Sequence, residues 1–361
     1  MWPDRRLLDH LGLEHPILQA PMAGTATPAL AAAVSGAGGL GGIGLGEAPE
    51  SEIRSAVAEV RSFTNRPFNL NFFAHPGANA DPAATARARA RIADFAGPGG
   101  PALPEHLPDA TPGFDAARLA LLLDLGPRVV SFHFGLPEPG AVAAIKAAGI
   151  WVLATATTVA EARAVVAGGA DAVVAQGYEA GGHRGAHRLT RAGDGIGTLA
   201  LVPQVADAVS VPVIAAGGIG DARGIAAALA LGAAGVQMGS AFLLCPEAAT
   251  EPARRAHVAA SDGSDTVMTA AGSGYPARAR RTEYSDHMAP LDGSLPPFPT
   301  LYGLSGPVIA PDQADDRAAF GLYGQAAGLA REEPAGDLVA RLARETGAHL
   351  ARLGRAGSAN R

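Results

Sequence analysis

Eight short apolar runs, several rich in β-branched residues, recur along this 361-residue chain at 17–20, 40–43, 68–72, 129–132, 151–155, 172–175, 213–216 and 235–238. Ala-rich stretches with helical spacing lie between them, at 28–35, 50–62, 84–95, 141–148, 159–167, 198–209 and 221–231. Runs this short suit strands and not helices. Strand and helix in alternation require parallel neighbours, because a parallel pair needs a crossover. Eight units predict a closed (β/α)8 TIM barrel in place of an open sheet, over residues 1–245. Two stretches break the rhythm. Residues from about 76 to 125 read as an insertion after the third strand, with one Ala/Arg helix. Residues 246–361 read as a C-terminal cap segment, Pro-rich as far as 312 and helical from about Asp315 to Ala343.

Composition narrows the class. The chain has 47 Gly and 28 Pro, but no three-residue Gly period, which excludes collagen, and 48% hydrophobic residues argue against disorder. A net charge of −6 offers no basic footprint for nucleic acid or an anionic membrane. Cys245 is the one cysteine, so no internal disulfide forms and a reducing compartment fits. The start, Met1-Trp2-Pro3-Asp4-Arg5-Arg6, leads into no apolar segment of signal-peptide type, and the longest apolar run, 225–236, is too short to span a bilayer. A cytoplasmic protein, monomeric or homodimeric, is expected.

In a (β/α)8 barrel the working residues stand at the C-terminal strand ends. There this chain places Pro21-Met22-Ala23-Gly24, Asn69 and Asn71, which share a face by alternation, and His133. The sixth strand runs into Gln176-Gly177-Tyr178-Glu179-Ala180-Gly181-Gly182-His183-Arg184-Gly185. Gly217-Gly218 and Gln237-Met238-Gly239-Ser240 follow the seventh and eighth strands, where barrels commonly hold phosphate. Either pair alone could be a tight turn; together they favour a phosphate cradle. Gly39-Leu40-Gly41-Gly42-Ile43-Gly44 matches G-x-G-x-x-G in form, but no helix follows directly, so it reads as a glycine-rich second strand. His183 is the main catalytic candidate, since a neutral imidazole takes a proton near pH 7; an exposed loop histidine is the alternative. His133 fits either the site or a satisfied core position. His183 and His187 are four apart, but Gly185 argues against a helix there and no acidic third ligand is evident, so no metal is expected. Tyr178 and Glu179 could be structural or functional, and Cys245 reads as packing.

These motifs resemble the nitronate monooxygenase family. The resemblance rests on Gln19-Ala20-Pro21-Met22-Ala23-Gly24, AAVSGAGGLGGIG (32–44), EAGGHRG (179–185), VIAAGGI (213–219) and GVQMGSAFL (235–243). Asn69-Leu70-Asn71-Phe72-Phe73 and Ser131-Phe132-His133-Phe134-Gly135 are similar to the class I members. The chain departs from the family pattern at Ser273-Gly274-Tyr275-Pro276-Ala277-Arg278-Ala279, and in having Phe298, Leu301 and Tyr302 but no Lys in 272–312. The resemblance implies non-covalent FMN, with the Met22, Ala23 and Gly24 backbone near the ring. Asn71 and Gln176 would bond the ring and ribityl chain, and Gly181 would allow close approach. Gly217, Gly218, Gln237, Met238, Gly239 and Ser240 would hold the phosphate. It implies oxidation of an alkyl nitronate by O2 to nitrite and a carbonyl compound. His183 would act as base on a neutral nitroalkane, or as a cation and donor to the nitronate, with His133 a second active-site histidine. The alternative on the same barrel is an FMN-dependent NAD(P)H:enoyl thioester reductase.

Overall fold

The computed structural model describes residues 2–46, 48–75, 77, 79–107, 113–188, 193–309 and 316–358. Glu47, Pro76, where the insertion is expected to begin, and Asp315, where the last helix is expected to begin, lie outside them. In chain order the elements are α1 (Arg6–Leu11), β1 (Ile17–Gln19), α2 (Pro28–Gly36), β2 (Gly41–Gly44), α3 (Glu50–Phe63), β3 (Phe68–Phe73), α4 (Pro82–Ala96), α5 (Ala116–Leu125), β4 (Val129–His133), α6 (Pro139–Ala147), β5 (Trp151–Ala156), α7 (Val159–Ala167) and β6 (Ala172–Gln176). There follow β7 (Gly182–His183), α8 (Thr198–Ala208), β8 (Val213–Ala216), α9 (Ala222–Ala230), β9 (Gly235–Met238), α10 (Pro252–Ala260), β10 (Thr266–Thr269), β11 (Ala277–Arg280), α11 (Glu283–Met288), α12 (Thr300–Ile309) and α13 (Ala335–Ser358).

Eight parallel strands make one sheet in the order β1-β9-β8-β6-β5-β4-β3-β2. The two ends of that order meet. Leu18 bridges Leu40, Leu40 N–H donates to the Ile17 carbonyl at 3.0 Å, and Gln19 Oε1 accepts from Gly42 N–H at 2.9 Å. The sheet is therefore the closed TIM barrel expected. Gly41 explains the glycine run in β2: a Cβ there would lie 2.0 Å from the Ala31 carbonyl oxygen, so the strand packs directly on α2.

Burial divides the barrel along its axis. Leu18, Leu40, Val129, Leu153, Val174 and Ile214 fill the interior and meet Leu7, Leu8 and Leu11 of α1, which plugs the N-terminal mouth. The register then carries Asn71, Ser131, Thr155, Gln176 and Gln237 onto the same inward face nearer the C-terminal mouth. An apolar floor below a polar upper layer leaves only the upper end free for a polar ligand.

Two spans end differently from the sequence expectation. Helix α5 lies within the expected insertion, but it packs between α3 and α6 and so is a wall helix of the barrel. Helix α13 packs against α9 and α2, with Ala335, Leu338, Val339 and Leu342 in the wall core, so it closes the helix ring and does not belong to the cap. It starts at Ala335, twenty residues later than expected. The cap is formed by two pieces together. Ala88 and Ile92 of α4 pack with Tyr284, Met288, Leu301 and Leu304 of α11 and α12. A second, three-stranded sheet, β10-β11-β7, fastens the cap to the barrel. Among the described residues no helix is long and apolar enough to cross a membrane.

Candidate active site

The upper layer of the barrel begins with an amide pair. Asn69 and Asn71 both donate Nδ2–H to Ser131 Oγ, at 2.8 and 2.9 Å, which confirms their shared face. Ser131 is a residue that alternation alone did not single out. Asn69 Oδ1 is buried and has no partner among the described residues.

His183 is held from three sides. It does not sit in a free loop; it lies on β7, paired with Ala277 of the cap strand β11. Its carbonyl accepts two hydrogen bonds, from Gln176 Nε2 and from His133 Nε2, each at 2.9 Å. A carbonyl can only accept, so His133 carries its proton on Nε2. Its Nδ1 then accepts from the Thr155 hydroxyl at 3.1 Å. His183 Nε2 stands 2.8 Å from Ser273 Oγ, a cap residue. Each imidazole keeps a little accessible surface, yet burial pushes both down to about 4; His133 and His75 nearby push His183 further, while for His133 the bond to the His183 carbonyl works the other way and His187 pushes it down. Both rings are therefore neutral near pH 7, and the cationic form considered for His183 is not the resting state.

Two residues expected to touch a flavin have other partners. Gln176 spends both ends of its amide on the segment after β6, since Oε1 accepts from Gly185 N–H at 2.7 Å while Nε2 holds His183. It braces β7, the strand that carries His183. Gly181 makes its close approach to the cap: a Cβ would lie 2.4 Å from both Gly324 N and the Tyr323 carbonyl carbon. Met238 is likewise buried in the wall core, and its carbonyl accepts from Ala20 N–H at 2.8 Å.

The remaining strand ends keep some accessible surface, although Gly217 packs against Gly177 and Ala180. Gly217 and Gly218 have φ of +102° and +69°, which favours glycine on conformation alone. Gly239 differs. Its φ of −108° suits any residue, and a Cβ would meet nothing closer than Ala20 Cβ at 3.5 Å. Nothing in the protein itself requires glycine there. Ser240 Oγ accepts from Gly324 N–H at 2.8 Å, so the cap turn at 323–325 borders this end of the site.

Above His183 stands a connected set of rings that only the fold reveals. Phe134 stacks on Tyr275 with centroids 4.8 Å apart and meets His133 at 4.7 Å and Phe73 at 5.2 Å. Its φ is +70°, rare for a bulky residue and costing about 1–3 kcal/mol in such regions. These ring contacts hold it there, and strain of this kind clusters at functional sites.

Tyr178 and Glu179 resolve as structural. Arg278 lies over the Tyr178 ring at 4.8 Å and donates to its carbonyl through Nη2 at 2.8 Å. The Glu179 carboxylate accepts from Thr198 N–H and Oγ–H at the start of α8. His187 donates Nε2–H to the Thr155 carbonyl at 2.9 Å. Cys245 lies in the wall core with its thiol pushed up to about 12, chiefly by burial, so it is packing.

A family model described as nitronate monooxygenase matches residues 4–345. The chain is similar to a nitronate monooxygenase of Pseudomonas aeruginosa, 46% identical over 346 residues, covering 93% of this chain and 97% of the relative. Among solved structures it is similar to a nitroalkane oxidase of Streptomyces ansochromogenes, with a TM-score of 0.87 and 38% identity, over 96% of this chain and 99% of that one. It is also similar to FabK of Thermotoga maritima, with a TM-score of 0.74 and 31% identity, over 96% and 97% of the two chains.

Proposed function

Because this chain belongs to the nitronate monooxygenase family, we propose that it oxidises small alkyl nitronates with O2, using bound FMN, to nitrite and a carbonyl compound. The observation that carries the reading is His183: a neutral imidazole, doubly anchored at its carbonyl, placed at the barrel mouth beside the glycine-bearing strand ends.

The residues present fit FMN. Gly239 has room that the fold does not use, next to Gly217, Gly218 and Ser240 at the usual phosphate end of such barrels. The partnerless Asn69 Oδ1 and the Asn71 amide form a polar floor below the mouth. Met22, Ala23, Gly24 and Asn71 would hold the ring side. Gly217, Gly218, Gln237, Gly239, Ser240 and the Met238 backbone would hold the phosphate side. The chemistry supplied by FMN when bound is electron transfer between the nitronate and O2.

His183 sets which form of the substrate is used. A base whose conjugate acid titrates near 4 has little driving force to take a carbon-bound proton at pH 7. A preformed nitronate needs no such step, and neutral His183 offers it an N–H. Ser273 decides which nitrogen carries that proton. Its hydroxyl can donate to the Tyr275 carbonyl, at 3.3 Å, and accept from His183 Nε2, or turn and donate to Nε2. Gln176 and His133 keep the backbone of His183 fixed throughout.

The test compares a nitronate with its parent nitroalkane in FMN-loaded protein, following O2 uptake and nitrite. The expected kcat/KM is about 100-fold higher for the nitronate, near the usual worth of one general base. No nitrite from any small nitronate overturns the proposal. Rapid anaerobic bleaching of the flavin by NADH, without nitronate turnover, would point to the enoyl thioester reductase alternative.

A further inference from the structure

The ring cluster above His183 has a chemical character that the nitronate reading leaves unspecified. Phe73, His75, Phe134, Tyr275, Phe298 and Tyr302 form a chain of contacts. His183 meets Phe73 and Phe134 with centroids 6.1 and 6.0 Å away, Phe134 stacks on Tyr275, and His75 meets Phe298 at 5.5 Å. Phe298 then meets Tyr302 at 5.9 Å. Exposure rises along the chain, from buried Phe134 through partly buried Phe298 to Tyr302, which is 58% exposed. The four segments that supply these rings, 72–75, 133–136, 272–277 and 295–304, contain no Lys, Arg, Asp or Glu.

Among the described residues the nearby cations lie against other groups. Arg184 follows His183 directly, but its guanidinium lies over the Tyr178 ring at 5.8 Å and within electrostatic reach of Glu161 and Glu179, although its Nε and Nη1 make no hydrogen bond among the described residues. Arg278 is bonded to the Tyr178 carbonyl and to Thr266 Oγ1. The one lysine of the sequence, Lys146, pairs with Asp171 on the barrel wall.

Resting on the nitronate reading, we propose that the enzyme selects nitronates whose carbon substituent is apolar, aliphatic or aryl, and rejects those carrying a carboxylate. An apolar substituent gains contact with ring faces and loses water. A carboxylate in the same place meets the electron-rich faces of the rings and finds no cation among the described residues of these segments to offset its desolvation. The nitronate head is the same in both classes, so the discrimination falls on the substituent alone.

Two substrates isolate that term. 3-Methylbutane-1-nitronate and propionate 3-nitronate share the nitronate carbon and the adjoining methylene, and differ by an isopropyl group against a carboxylate of similar shape. With FMN-loaded enzyme, kcat/KM is expected to favour the isopropyl compound about 100-fold, mostly through KM, the scale on which a mismatched buried polar group is rejected. A preference below tenfold overturns the inference while nitrite release from both keeps the nitronate reading. No nitrite from either compound removes both. The variant Phe298→Lys places an ammonium at a partly exposed ring position. It is expected to lower the KM for propionate 3-nitronate at least tenfold and to raise that for the isopropyl compound, which loses a ring face. An unchanged KM for the carboxylate in folded Phe298→Lys also overturns the inference.

Discussion

Replacing His133 by Leu separates positioning from contact with substrate. The ring makes two hydrogen bonds, Nε2–H to the His183 carbonyl at 2.9 Å and Nδ1 to the Thr155 hydroxyl at 3.1 Å. Each is worth about 0.5–1.5 kcal/mol net, so His133→Leu should cost about 1–3 kcal/mol of stability. The His183 carbonyl is not orphaned, because Gln176 Nε2 still donates to it at 2.9 Å. Activity should therefore fall only about tenfold, the equivalent of about 1.4 kcal/mol of lost alignment. Gln176→Leu should behave alike. The double variant leaves the carbonyl with neither donor, which adds about 1–3 kcal/mol beyond the sum. The assay is a double-mutant cycle in both Tm and kcat/KM on one nitronate, with His183→Asn as reference. If His133→Leu loses as much activity as His183→Asn at unchanged Tm, the ring of His133 touches the substrate and the positioning role is wrong. Strict additivity of the pair would refute the shared-carbonyl argument.

Three further outcomes follow from the same geometry. His133 and His183 have folded-state values near 4, below the 6.5 of an unfolded histidine, so their contribution to stability is complete above pH 6.5 and is lost as pH falls toward 4. The limiting slope is about 1.4 kcal/mol per pH unit for each ring; a Tm series from pH 7 to 4 whose slope is the same in wild type and His133→Leu would contradict it. Gly239→Ala should leave apoprotein unfolding within about 0.5 kcal/mol of wild type, since its Cβ has room, yet weaken FMN binding at least tenfold; unaltered flavin affinity would remove Gly239 from the cradle. Native Cys245, buried and held protonated, should resist thiol reagents at pH 8 and react once the chain is denatured; stoichiometric labelling of the folded protein would count against its burial.

The barrel was legible because each of its strands carries an apolar run flanked by helical spacing, and the period survives any loop between them. Strands β7, β10 and β11 were not, because they are two to four residues long and their partners lie far apart in sequence, as Gly182 and Arg278 do. Helix α5 was hidden by composition. Ala116–Leu125 is apolar on nearly all sides, so it shows no clean stripe, and it adjoins a Pro/Gly-rich stretch. At the site, residue type was easier to read than partner. Gln176 and Gly181 stand out in sequence as an amide and a bare backbone, but the atoms they meet belong to Gly185, His183 and the cap. Ser131 and Ser273 lie in segments compared with the family and Thr155 in a strand, but none carried a role of its own, since a hydroxyl becomes informative only when a second polar atom is brought within reach.

The division between legible and illegible residues also divides the chemistry. What would hold the cofactor comes from the strand ends of a closed barrel, a rigid support on which side-chain geometry is set by register. What would face the substrate comes largely from the cap, through Ser273, Tyr275 and Phe298, and is tied down at few places. Those ties are β7 on β11, Ser240 on Gly324, and Gly181 against Tyr323. His183 stands on the first of them. His183, proposed to meet the nitronate, is thus positioned from below by Gln176 and His133 and from above by the strand that carries Ala277, so a change on the β11 side of the cap reaches it directly, whereas the Ser240–Gly324 tie links the cap turn to the phosphate end. On this arrangement, substitutions at Phe298 or Tyr275 should move KM and substrate preference, whereas those at Gly239 should move flavin affinity, and the two effects should combine additively because no described residue contact joins them.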